Sequence, residues 1–446
     1  MFLIKNATII NEGRSFTGSV LIENETIKSV FENGQKIVVD GKYDEIDAVG
    51  KLLIPGVIDS HVHFREPGLT HKGDIYSESR AAVAGGITSF MDMPNTVPQT
   101  VTIKALEEKF ALAAQKSLAN YSFYMGATND NLEELQKINP AKVCGIKVFM
   151  GSSTGNMLVD NRETLSRIFA EIPMLIAIHS EDEEIINQNK TYYKNLLGDK
   201  ISASYHPLIR NAEACYKSTA QAVELAEKLS TRLHVLHLST AGELVFFTNN
   251  KPLKDKKITA EVCVNYLWFS DADYEKYGNK IKCNPAIKTG QDRRALRDAV
   301  NSGKIDIIAT DHAPHLLTEK QGNCLEALSG IPSVQHSLPA MLQLVKQGIF
   351  TYEKVVEKMC HAPAELFGIQ KRGFIREGYF ADLVLVHPQK SWMVTPENIL
   401  YRCAWSPFEA ETFTHSIETT WVNGQKVYDK GKINENMRGK RLEFKA

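Results

Sequence analysis

Residues 53–68 read LIPGVIDSHVHFREPG. An apolar run leads into two histidines one residue apart, then an arginine, then a Pro-Gly turn. Side chains alternate across an extended chain, so His61 and His63 fall on one face and can reach one point together. A run that buries its body and exposes polar groups only at its end is the signature of a strand in a parallel sheet, whose chemistry sits at the C-terminal edge.

Seven further runs downstream have the same character: ITSFMDMP, NYSFYMGAT, VCGIKVFM, MLIAIHS, LHVLHLS, ITAEVCVN with the KCNP that follows it, and IDIIATDHAP. Between them lie helical patterns such as TIKALEEKFALAAQKSL, NRETLSRIFAEI and TAQAVELAEKLST. Strands alternating with helices imply parallel βα units, and eight of them predict an α/β fold, a (β/α)₈ TIM barrel. The polar residues keep to the strand ends: His61, His63, Asn95, Lys147, His179, His237, Asn284, Asp311 and His315 each close or follow an apolar run.

The two ends of the chain have a different texture. FLIKNATII, GSVLIENETIKSVFE, ADLVLVHP and TTWVNGQKVYDKGKI are short β-rich runs with turn residues between them. They predict a small β-sandwich domain made by both termini, residues 1–54 and 371–446, around a barrel of residues 55–370. Lys plus Arg number 52 against 53 Asp plus Glu, a balance that offers nothing to nucleic acid or another polyanion. Seven well-separated cysteines without a C-x-x-C read as reduced thiols and point to the cytoplasm. No signal peptide and no run of about 18 apolar residues is present, so no membrane partner is expected.

Taken singly, the site residues have ordinary explanations. A histidine at a strand end is commonly a hydrogen-bonded structural residue, Asp311 could cap a helix, and Asn95 and Asn284 could serve the turns beside Pro94 and Pro285. Lys147 in GIKVFMG is a misfit, because an ammonium in an apolar strand must lose its charge or find a partner. Together they share one rim. Four histidines and a carboxylate are too many ligands for one tetrahedral ion with an open position, yet they suit two ions that share a bridge. A Lys147 amine carrying CO₂ becomes an anionic carbamate two oxygens wide, which supplies a bridge and removes the burial penalty.

The H-x-H, the strand lysine, two later histidines and a final aspartate resemble the amidohydrolase superfamily. DSHVHFREPG, MPNT, CNP and ATDHAPH resemble its dihydroorotase family, in order along the whole chain. That resemblance implies two zinc ions per subunit: His61, His63 and Asp311 on one, His179 and His237 on the other, with carboxylated Lys147 and a hydroxide bridging. It implies that Asp311 is the catalytic proton carrier. Arg65, two positions beyond His63 on the same face, would hold a ring carboxylate, helped by Asn95 and His315, with Asn284 a further substrate contact. The implied reaction is the reversible cyclisation of N-carbamoyl-L-aspartate to L-dihydroorotate with loss of water, a step of pyrimidine synthesis. The Gly/Ser/Thr-rich residues 151–156 would form a lid. Oligomeric state stays open, a homodimer among the options.

Two rivals remain. Relatives that open hydantoin or allantoin take rings with no carboxylate and, in their pattern, lack the arginine. Metal-free scaffold proteins on the same fold typically lose ligands, whereas all six are present here.

Overall fold

The computed structural model describes residues 1–38, 41–150 and 157–445, so the expected lid loop, 151–156, lies outside the described residues. Strands from both ends of the chain form one nine-stranded sheet. From the N-terminal side come β1 (Phe2–Asn11), β2 (Arg14–Glu23), β3 (Thr26–Glu32), β4 (Asp44–Asp47) and β5 (Leu52–Pro55). The barrel strands follow. They are β6 (Val57–Val62), β7 (Ile87–Asp92), β8 (Asn120–Phe123) with its short continuation β9 (Met125–Gly126), β10 (Ile146–Phe149), β11 (Ile176–His179), β12 (Leu233–Val235), β13 (Ile258–Cys263) and β14 (Ile307–Ala309). The sheet then resumes with β15 (Leu383–His387). After the short pair β16 (Trp392–Met393) and β17 (Thr412–Phe413) it finishes with β18 (Ser416–Val422), β19 (Gln425–Asp429) and β20 (Lys432–Ile433). Its order is β20-β19-β18-β15-β5-β1-β2-β3, with β4 beside β1, so N- and C-terminal strands meet where β15 pairs with β5. Ile9, Val20, Leu53, Leu383 and Trp421 pack its core.

The barrel strands pair in parallel in chain order from β6 to β8 and from β9 to β14. The circle closes at the site: Val62 bridges His312, the His63 N–H donates to the His312 carbonyl at 2.7 Å, and Thr310 donates to Asp59 at 2.6 Å. Gly56 marks the passage from sheet to barrel, where a Cβ would stand 2.1 Å from Thr88 Oγ1. Six of the helices that return between strands begin at a side chain that accepts the backbone N–H three residues on. These caps are Asp74, Thr102, Asn161, Asp182, Asn211 and Thr289. Each fixes where a βα loop ends, and so how the rim is shaped.

The structure departs from the sequence pattern in three places. KCNP does not continue β13 but lies in a loop after the turn Gly278–Ile281. The β-like C-terminal region is not wholly sheet: Leu442 and Phe444 pack beneath the barrel, and Trp405 donates its indole N–H to the His315 carbonyl at 2.7 Å. Third, β6 ends at Val62, so strand alternation does not place Arg65; a left-handed backbone at φ +69° does. All seven cysteines are buried and free, and no helix among the described residues is long and apolar enough to cross a membrane.

Candidate active site

The C-terminal ends of the barrel strands open into a cavity of about 940 Å³, and His61, His63, Arg65, Asn95, Lys147, His179, His237, Asn284, Asp311 and His315 all line it. Three of them hold a left-handed backbone: Arg65, His237 at φ +43° and Asp311 at φ +48°. Non-glycine residues rarely adopt that conformation, and here it bends each strand end so that its side chain faces the cavity.

Two side-chain clusters that could hold metal ions are visible atom by atom. His61 Nε2 and His63 Nε2 lie 3.2 and 3.1 Å from Asp311 Oδ1. His179 Nδ1 lies 2.9 Å from His237 Nε2. The opposite ring nitrogens are held from behind. His61 Nδ1 is 2.7 Å from Glu261 Oε1, His63 Nδ1 is 2.7 Å from Asn95 Oδ1, and His179 Nε2 is 3.0 Å from Glu181 Oε2. Those oxygens accept ring N–H groups, so the inner nitrogens of His63 and His179 are left with lone pairs, and His237 Nε2 donates to His179 Nδ1. Among the described residues, only the Nδ1 of His237 is buried without such a partner in this set.

Electrostatics favour the neutral ring at three of the four histidines. Burial pulls His63 down to about 4 and lowers His179 and His237, which keeps all three neutral and able to ligate. Burial opposes the charge on His61 too, but Glu261 and Asp311 on either side push its pKa up to about 9: two carboxylates here demand a cation. Burial would raise Asp311, yet His61 and His63 outweigh it and hold the carboxyl well below the usual range.

Lys147 falls between His63 and His179 in sequence and lines the same cavity. It is 1 % exposed, and among the described residues its Nζ has no hydrogen-bond or ion-pair partner, only the Phe149 ring 4.6 Å away. Burial depresses its pKa to about 7, so much of it is free amine near neutrality, the form that takes up CO₂. The donor set therefore suits two divalent ions with an anionic bridge.

On the other wall, Arg65 is 7 % exposed, donates through Nε to the Pro314 carbonyl at 3.1 Å, and reaches His315 Nε2 with Nη2 at 3.1 Å. Asn95 stands between the two walls: its Oδ1 faces His63, leaving the amide N–H groups for the cavity. Asn284 is oriented by His206, whose Nε2 lies 3.1 Å from Asn284 Oδ1.

The sequence reading missed Glu261, Glu181 and Lys72. The signal was available for Glu261, since a carboxylate in ITAEVC is as much a misfit as a lysine in GIKVF. Glu181 in HSED lies outside any apolar run, yet it is fully buried against Arg210.

The model of the amidohydrolase family matches residues 52–427. The chain belongs to this family. Among amidohydrolases of known sequence it is 34 % identical to a dihydroorotase of Methanosarcina acetivorans, over 99 % of this chain and 95 % of that one. It is 33 % identical to a dihydroorotase of Trichlorobacter lovleyi, over 96 % and 99 %. Among solved amidohydrolase folds, L-hydantoinase from Arthrobacter aurescens superimposes with a TM-score of 0.91 at 27 % identity, covering 97 % of each chain.

Proposed function

We propose that this amidohydrolase is a zinc-dependent dihydroorotase that interconverts N-carbamoyl-L-aspartate and L-dihydroorotate in pyrimidine synthesis. The observation that carries the reading is the Arg65–His315 pair opposite the histidine cluster. A guanidinium matches a carboxylate bidentately, and dihydroorotate has a ring carboxylate where hydantoin has none.

In this reading His61, His63 and Asp311 would hold one ion and His179 and His237 the other, and Lys147 as its carbamate would complete the donor set. When bound, two such ions supply a water that is deprotonated near neutral pH and polarise the ring carbonyl. The protein does the rest. Arg65, Asn95 and His315 anchor the ring carboxylate and so turn the scissile amide toward the ligand cluster, with Asn284 steadying the far edge. Asp311 accepts a proton on the water side and returns it to the ring nitrogen that leaves. Hydrolysis consumes one water and releases one proton at neutral pH, since the amide carbonyl ends as a carboxylate. Cyclisation takes that proton up.

The likeness to L-hydantoinase favours a second reading, hydrolysis of a neutral ring. Assays of dihydroorotate, dihydrouracil, hydantoin and allantoin side by side, with zinc and bicarbonate present, separate the two. Preference for a neutral ring overturns the proposal.

A further inference from the structure

His315 meets two cationic donors, with Glu319 Oε2 and the Ser329 backbone as acceptors beside them. Besides Arg65 at Nε2, the Lys72 ammonium lies 3.2 Å from its Nδ1. An ammonium and a guanidinium can only donate, and a neutral imidazole can accept at one nitrogen. One of the two contacts must therefore place two donors face to face. Burial and these same cations hold His315 far below its ordinary range, so a doubly protonated ring is no escape.

We infer that Lys72 is a positioning residue for the substrate carboxylate: it occupies His315 Nδ1, places the ring proton on Nε2, and makes His315 and Arg65 two donors aimed at one anion. The inference rests on the dihydroorotase reading and names how that site chooses its ligand.

Three observations support the assignment. Glu319 Oε2 also comes within 3.4 Å of His315 Nδ1, but it stands farther off than Lys72 Nζ at 3.2 Å and already accepts the Leu316 N–H at 2.9 Å, while Oε1 takes Lys72 at 2.8 Å. That ion pair ties Lys72 in place, and Arg65, Lys72 and Glu319 together leave one net positive charge for one carboxylate. The neighbouring Lys320 does not compete, because its Nζ is spent on the carbonyls of Lys282, Leu328 and Gly330. Finally, Gly330 keeps the other side of the ring open. A Cβ there would come 3.0 Å from His315 Nε2, and the residue sits at φ +146°, where side chains are disfavoured.

The test is Lys72→Met and Lys72→Arg in the zinc-loaded enzyme. Turnover of dihydroorotate by wild type is measured first, and its absence would sink the parent reading rather than this one. Lys72→Met is expected to raise KM for dihydroorotate about ten- to a hundredfold, the loss usual for a hydrogen bond involving a charged group, with kcat and zinc content near wild type. Lys72→Arg should recover most of that loss. In ¹⁵N-histidine spectra, the His315 signals, found by difference against His315→Gln, should show Nε2 protonated in wild type and a changed tautomer ratio in Lys72→Met. An unchanged KM in Lys72→Met, or an unprotonated Nε2 in wild type, overturns the inference. So does loss of zinc or of neutral-ring hydrolysis to the same degree, which would make Lys72 a structural residue.

Discussion

Glu261 Oε1 stands 2.7 Å from His61 Nδ1, on the side of the ring away from the cavity. Both residues are fully buried, Glu261 also receives Ser60 Oγ at 3.3 Å and the His237 N–H at 3.3 Å, and it links the two ligand groups from beneath. Burial would raise its pKa, but the charge of His61 and its hydrogen bonds hold the carboxyl far down, so it stays an acceptor. A carboxylate in that place fixes the tautomer of the histidine and makes its inner nitrogen a better ligand.

Glu261→Gln keeps the shape and removes the charge. Zinc affinity, measured by chelator competition, should fall by about ten- to a hundredfold, the usual cost of losing such a partner. Circular dichroism should be unchanged. Wild-type affinity in this variant would mean that the tautomer is set elsewhere.

On the proposed reading, Lys147→Ala should lose most activity, because it removes the anionic bridge. Short carboxylic acids should restore part of it. The depressed pKa of about 7 gives a sign to the pH dependence: below it the ammonium dominates and resists CO₂, above it the free amine accepts it. Reactivation of metal-stripped protein by zinc should therefore gain more from added bicarbonate at pH 8 than at pH 6. Equal gains at both would remove the carbamate from the argument.

The barrel was legible because each of its strands buries a short apolar run and shows its chemistry at one end, a pattern that survives without any knowledge of contacts. The residues that line the cavity were legible for the same reason, as polar residues recurring where a core strand should stop. What was hidden is what depends on backbone conformation and on partners distant in sequence. Arg65 reaches the cavity through a left-handed residue rather than through alternation, and no pattern of apolar residues encodes a φ of +69°. Lys72 belongs to no motif of the sequence, and only the fold brings His315, 243 residues away, to its ammonium. Trp405 looked like part of the terminal β region, yet it anchors the backbone of His315.

The proposed function gives Asp311 two tasks, and a conservative change separates them. Asp311→Asn retains an oxygen for the ion but cannot carry the proton, so kcat should fall by at least about a hundredfold, within the span usual for general acid–base groups. Zinc content should drop far less. Near-normal turnover would assign the proton transfer to another group.

Arg65→Met tests what the enzyme recognises. Arg65 is buried at the cavity wall, and burial works against its charge even there, so the pairing it makes with a carboxylate is largely shielded from water. Removing one partner of such a pair typically costs roughly 2–5 kcal/mol. At about 1.4 kcal/mol per decade, that is on the order of thirtyfold to several thousandfold in kcat/KM for dihydroorotate. Methionine keeps the length and the apolar stem, and Arg65 touches none of the ligand nitrogens, so zinc content should stay at wild type. Hydrolysis of dihydrouracil, which has no carboxylate to lose, should change far less. If both rings suffered alike, Arg65 would be holding the Pro314–His315 segment in place through its bond to the Pro314 carbonyl, and the preference for an anionic ring would have to come from elsewhere in the cavity.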